Sequence, residues 1–197
     1  MCQSANRMIR RVVRLCQPLH ATSGVSLLEM LLTVGVLMVM SAIAVPAVRG
    51  EILDAKASSG MRQVQGSLRA ARDAAMTQRR TMEVIFSGTG TIQVNRMDGN
   101  VRTPLSRLDV VNGMGYRTFT GIPDTPDAFG VAGGISFGGL TTVYFLADGS
   151  VTDVNGISVS GTLFLGMANQ PLTARAVTVL GPTGRIQSYR WDSQVWR

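Results

Sequence analysis

Nineteen consecutive residues without a charge, Met30–Val48, constrain this 197-residue chain more than any other feature. Lipid offers no hydrogen-bond partners, so a single apolar run of this length crosses a bilayer only as a helix. At 1.5 Å per residue it would span about 28 Å, close to the ~30 Å hydrocarbon core. One carboxylate, Glu29, stands immediately before the run and five residues beyond Gly24. Further upstream lie Arg7, Arg10, Arg11 and Arg14, with no acid among them. Arginines on that side keep it cytoplasmic and send the remainder of the chain across the membrane, which in a Gram-negative cell is into the periplasm.

The helical period continues past the apolar run. Leu53, Ala57, Met61, Val64, Leu68, Ala71 and Ala75 recur at spacings of three and four, a narrow apolar stripe. Glu51, Lys56, Arg62, Arg69, Arg72, Asp73 and Arg79 occupy other faces. The spacing predicts an amphipathic helix over 49–81, laid on a sheet. After Thr81 the composition turns to strands and turns. Met82–Phe86 and Thr91–Met97 flank Ser87-Gly88-Thr89-Gly90 as a hairpin, and Asp98-Gly99-Asn100 makes the next turn. Residues 112–140 read as a long loop with a short strand at Ile135–Phe137. Thr141–Leu146, Ile157–Leu165, Ala176–Leu180 and Arg185–Trp191 read as strands, the last two joined at Gly181-Pro182-Thr183-Gly184.

Cys2, Cys16 and His20 all precede Gly24. If the chain is cut after that glycine, the mature protein holds neither Cys nor His. A disulfide framework, a zinc site with thiolate or imidazole ligands, a Cys nucleophile and a Ser-His-Asp triad are then excluded. No cluster of carboxylates or hydroxyls replaces them, so the expectation is a protein that is not an enzyme and carries no cofactor. Asp148 and Asp153 lack the dense acidic spacing of a calcium loop, and turn chemistry accounts for Asp148-Gly149, so no metal is expected.

The stretch Gly24-Val25-Ser26-Leu27-Leu28-Glu29 and the apolar run after it resemble the class III signal of type IV pilins and type II secretion pseudopilins. The match covers residues 24–48. The resemblance implies that prepilin peptidase cuts after Gly24 and that Val25, standing where the family usually has phenylalanine, becomes the N-methylated first residue. It implies that Glu29 pairs with the free amine of a neighbouring subunit during filament assembly. Pro46 matches a proline common in the family's anchor helix and is expected to kink it. Phe145-Leu146-Ala147-Asp148-Gly149-Ser150, Gly156-Ile157-Ser158-Val159, Arg175-Ala176-Val177-Thr178-Val179 and Gly184-Arg185-Ile186 resemble the GspH/FimT-type minor pseudopilins and minor pilins. The implied fold class is α+β and pilin-like, a long N-terminal helix packed by its second half on antiparallel sheets. The implied division is a leader (1–24), a transmembrane helix (25–48), its amphipathic continuation (49–81) and a β-rich head (82–197). The implied function is a minor pseudopilin of a type II secretion system in the inner membrane, with other pseudopilins as partners; a minor pilin of a type IV pilus is the alternative.

Three features carry competing readings. Ser26-Leu27-Leu28-Glu29 is also a capping box, which accounts for Glu29 by local helix chemistry alone. The apolar core Met30–Met40 followed by Ala42-Ile43-Ala44 also satisfies an ordinary secretory signal, with cutting after Ala44. In the tail, Arg185, Tyr189, Arg190 and Trp191 interleave guanidinium groups with aromatics, a pattern that suits a DNA backbone or a protein partner. Residues 81–197 carry eight acids and eight bases, which weakens the nucleic-acid reading. Residues 49–80 carry seven bases and three acids, an excess suited to a solvated helix face or anionic lipid headgroups.

Overall fold

A computed structural model describes residues 24–197 except Val111, and omits the side chains of residues 43–49. The leader therefore lies outside the described residues, as does the side chain of Pro46 and with it the expected kink. The chain divides into two compact units, Met1–Val45 and Pro46–Arg197. One helix, α1 (Leu27–Gln78, 52 residues), contributes to both. Ser26 caps it: its hydroxyl accepts the Leu28 N–H at 3.2 Å, and its carbonyl accepts the Met30 N–H at 3.1 Å. The helix ends three residues before the predicted boundary. Arg79 turns left-handed (φ 51°) and the Arg80 N–H reaches back to the Ala75 carbonyl at 3.2 Å. That closure usually takes glycine; an arginine at the same place left no stop signal in the sequence.

In the second unit the predicted stripe is the buried one. Ala57, Val64, Leu68, Ala71 and Ala75 are buried, with Leu53 and Met61 half-buried at its margin. They meet two antiparallel sheets, so the head is α+β. The first sheet runs β3 (Val101–Asp109), β2 (Thr91–Asp98), β1 (Thr81–Ser87), β6 (Thr142–Phe145), β7 (Val151–Thr152). The second runs β10 (Arg185–Arg190), β9 (Gln170–Leu180), β8 (Gly161–Met167), β4 (Met114–Tyr116), with β5 (Ile135–Ser136) also paired to β8. Alternation puts Met82, Val84 and Phe86 of β1 in the core with Val143 and Phe145 of β6. Leu163, Leu165, Val177, Val179 and Ile186 close the core from the second sheet.

The predicted β1–β2 and β9–β10 hairpins form, with registers Ser87↔Thr91 and Leu180↔Arg185 at their turns. Three expectations need correction. The reading missed β3, which carries Pro104 among charged and polar residues and shows no apolar alternation. Its place at the edge of the sheet tolerates both, and a bulge at Val94/Asn95 accommodates it. It also missed β4 and β7, which are two or three residues long. The predicted strand at Ile157 begins only at Gly161, because Asp153 accepts the N–H groups of Asn155 and Ile157, both at 2.8 Å, and folds 153–157 into a turn.

All seven residues of β8 are buried, more than one core face explains. The long connection Arg117–Gly134 covers the other face. The Arg117 N–H donates to the Phe164 carbonyl at 2.9 Å, and the Phe164 N–H donates to Gly134 at 2.8 Å. The Phe119 ring occupies the space a side chain at Gly166 would need. The predicted loop is thus a structural cover with a defined seat.

Candidate functional site

The N-terminal segment shows what its residues have around them. Gly24 has no left-handed backbone, and a Cβ added there would meet nothing within 4 Å. The fold thus supplies no reason for glycine at this position. Val25 is exposed. Ser26 alone forms the cap: among the described residues the Glu29 carboxylate accepts no hydrogen bond and has no cation within ion-pair distance, so the reciprocal half of the capping box is unmade. From Leu27 through Met40 every large apolar side chain is exposed, from 46% at Val34 to 79% at Leu27. Among the described residues no helical stretch is long and apolar enough to cross a membrane. The side chains described in the apolar run end at Ala42, short of its last six residues.

The four tail residues are engaged within the head. Arg185 reaches Asp127 at 3.5 Å and the Tyr189 hydroxyl donates to the same carboxylate at 3.1 Å. Thr178 adds a third donor at 2.6 Å, so Asp127 pins the covering connection to β9 and β10. Arg190 pairs with Asp54 of α1 at 3.2 Å. Trp191 is only 8% exposed and meets Trp196 edge-on at 5.4 Å. Trp196 donates its indole N–H to the Pro123 carbonyl at 2.9 Å. The geometry ties this cluster to the head, although both arginine side chains stay 54% exposed. Two of its cations are neutralised by Asp54 and Asp127, and Trp191 offers little face on which a base could stack.

Arg175, singled out only as part of a strand motif, is the most constrained charge in the head. Its side chain is fully buried on β9. Nη2 donates to Asp54 at 2.5 Å, and Nη1 donates to the carbonyls of Ala174 at 2.8 Å and Leu172 at 3.2 Å. Nε has no partner. Burial pulls its pKa below the ordinary arginine value, against the opposing pull of Asp54. Asp54 therefore joins α1 to β9 through Arg175 and to β10 through Arg190. Arg72 also ties helix to sheet, donating to the carbonyls of Gly149 at 3.3 Å and Thr183 at 3.0 Å. It lies on the flank of the helix, off the buried stripe.

A second buried charge, Glu83 on β1, bolts the first sheet together. It accepts from Asn95 at 2.9 Å and Tyr144 at 3.1 Å and pairs with Arg102 at 2.9 Å. Burial, and next the Glu83 carboxylate, raise the Tyr144 pKa. The carboxyls of Asp148 and Asp153 lie below the usual carboxylate range, held by Ser150 and by the Ile157 N–H respectively. Both serve turns. Among the described residues there is no group of three or more acidic, histidine or cysteine side chains placed to hold a metal ion.

No protein-family model matches the chain, and no curated protein does. Solved structures do. The type IV minor pilin FimU of Pseudomonas aeruginosa aligns in one crystal form at 16% identity and TM-score 0.46, covering 71% of this chain and 91% of that one. In a second crystal form it aligns at 15% identity and TM-score 0.47, covering 71% and 96%. The minor pseudopilin EpsH of the type 2 secretion system of Vibrio cholerae aligns at 12% identity and TM-score 0.47, covering 68% and 97%.

Proposed function

We propose that this chain is a minor pseudopilin of a type II secretion system. In this reading residues 1–24 are a leader removed by prepilin peptidase, and 25–48 anchor the protein in the inner membrane. Residues 49–81 continue the helix into the periplasmic head formed by 82–197. The observation that carries the reading is the contrast along α1. Its first part is apolar, exposed on every side and headed by a carboxylate without a partner, whereas from Ala57 onward it carries the core stripe of the head. A helix apolar all round needs lipid or other apolar helices to cover it. A carboxylate near the edge of that apolar layer needs a cation. The amine freed on Val25 of a neighbouring subunit supplies one. Gly24 fits the same scheme, because a peptidase recognition site gives the glycine a role that the fold does not.

The work of such a subunit is mechanical. Anchor helices pack side by side, the Glu29–amine pair sets their register, and the head contacts other minor subunits or exported protein. No chemical step is assigned to the chain. The test is to purify the full chain from gently solubilised membranes and identify what comes with it. Subunits of a secretion filament are expected. Recovery of pilus subunits instead would move the protein to the type IV pilus, and recovery of neither would overturn the filament reading.

A further inference from the structure

The tail shows that the outer edge of β10 accepts a strand. The Trp191 N–H donates to the Ala174 carbonyl at 3.2 Å. In an antiparallel ladder alternate residues face the partner strand, so Ile186, Ser188 and Arg190 turn their backbone groups away from β9. Arg190 uses both of its groups. Its N–H donates to the Arg197 carbonyl at 2.6 Å, and its carbonyl accepts the Arg197 N–H at 2.9 Å. That reciprocal pair is one rung of a further antiparallel strand. Among the described residues the outward groups of Ile186 and Ser188 have no partner. Beside them runs one flank of α1. Arg62, Gln65, Arg69 and Arg72 follow at spacings of three, four and three, which puts them on one side of the helix. Gln65 donates to the Ser188 hydroxyl at 3.3 Å and Arg72 to the Thr183 carbonyl at 3.0 Å, so this flank lies along β10. Residues 62–72 hold no acid. Among the described residues none of these three arginines has a carboxylate within ion-pair distance. Arg69, Arg72 and residues 183–186 line a groove of about 550 Å³, with Asp73 at its side.

We propose that the edge of β10 takes an extended acidic segment of a partner protein as an added strand, its backbone bonded to Ser188 and Ile186 and its carboxylates on Arg62, Arg69 and Arg72. Strand addition gives affinity through main-chain bonds and specificity through alternate side chains. Residues of the added strand opposite Ser188 and Ile186 point to the same face as those two side chains. That face is the helix side, because Ser188 meets Gln65 there and Ile186 joins the core. Acidic residues at every second position would therefore meet the arginine flank. The charge selects acid, since Arg62, Arg69 and Arg72 stand against Asp73. The open backbone selects a polypeptide over nucleic acid, because a polypeptide returns both an N–H and a carbonyl at strand spacing. The surface lies wholly within Pro46–Arg197. It stands whether or not residues 25–48 anchor the chain, and whichever filament the chain joins.

The test uses the full chain in detergent micelles and a short fluorescent peptide of alternating Thr and Glu, with binding read by anisotropy. One control peptide carries Lys in place of Glu. The other keeps the Thr-Glu sequence with its Glu nitrogens methylated, since those N–H groups would face β10. The Thr-Glu peptide should bind about tenfold more tightly than either control. Two protein variants read the two halves of the site. Arg69→Glu changes an exposed side chain that makes no ion pair among the described residues, and should weaken binding several-fold. Ser188→Pro removes the outward N–H and should abolish binding. Proline is tolerated on a sheet edge, a thermal melt shows that each variant is folded, and the methylated peptide makes the same cut without touching the protein. Equal binding of the Glu and Lys peptides overturns the acidic assignment, and equal binding of the methylated peptide overturns strand addition. No binding of the Thr-Glu peptide overturns the proposal, including where duplex DNA binds instead and loses affinity in Arg69→Glu. Self-association of the chain that Ser188→Pro abolishes would make a second copy the occupant, and overturns it likewise.

Discussion

Glu29→Val should give a protein that is still cut after Gly24 and still held in the membrane, yet is poorly incorporated into a filament. The substitution makes the segment more apolar, so anchoring does not suffer. The first turn does not suffer either, because the cap is made by Ser26 and Leu28 and the Glu29 carboxylate accepts no hydrogen bond among the described residues. On the proposed reading, what is lost is the carboxylate that would face a neighbour's amine. That amine would then be left charged and unpaired at the edge of an apolar layer, which costs up to about 3 kcal/mol, on the order of a 100-fold loss of incorporation. Glu29→Gln sharpens the test, since it keeps a polar group of the same shape and removes only the charge. Co-purification with partner subunits measures the outcome. Normal recovery of both variants would mean that the carboxylate has no part in assembly.

Within the head, the largest loss is expected at Arg175. Arg175→Ala removes a fully buried side chain, leaves the carbonyls of Leu172 and Ala174 without their donor, and unties α1 from β9. Breaking a buried ion pair from one side costs about 3–5 kcal/mol. The lower figure applies here, because Asp54 keeps Arg190 and is itself 29% exposed. For a unit of this size that corresponds to a fall in Tm of roughly 6–12 °C. Arg175→Met restores most of the stem volume and removes the orphaned Nε, but leaves the same carbonyls without a donor and Asp54 without Arg175, so it should recover only the part of the loss that comes from the cavity. Thermal melts of both variants measure this. If Met proves as damaging as Ala, the ion pair and not the packing holds helix to sheet.

These two residues mark the limits of what the sequence discloses. Features with a period were legible. The Leu53–Ala75 stripe repeats every three to four residues and is buried, and the β1–β2 and β9–β10 hairpins are bracketed by glycine-containing turns. Features without a period were not. β3 is an edge strand whose side chains are mostly exposed, so no alternation marks it. The connection 117–134 is glycine- and proline-rich and reads as a free loop, yet Asp127 gathers Thr178, Arg185 and Tyr189 and fixes it to β9 and β10. That arrangement draws on residues more than fifty positions apart, and no local pattern encodes it. The same carboxylate engages Arg185 and Tyr189, two of the tail residues that the sequence offers as contacts for DNA or a protein partner. Arg175 sits in a strand motif where an arginine looks like a solvent-facing residue; only the seat of Asp54 on the facing helix shows that it points inward.

The leader, the anchor and the role of Glu29 all depend on a single bond, and N-terminal sequencing of the protein extracted from membranes reads it directly. The account predicts that the mature chain begins at Val25, with the methyl group on its amine. A chain that begins at Val45, as an ordinary secretory signal would leave it, would contradict the account: the apolar run would be discarded, Glu29 lost with it, and the head released without an anchor.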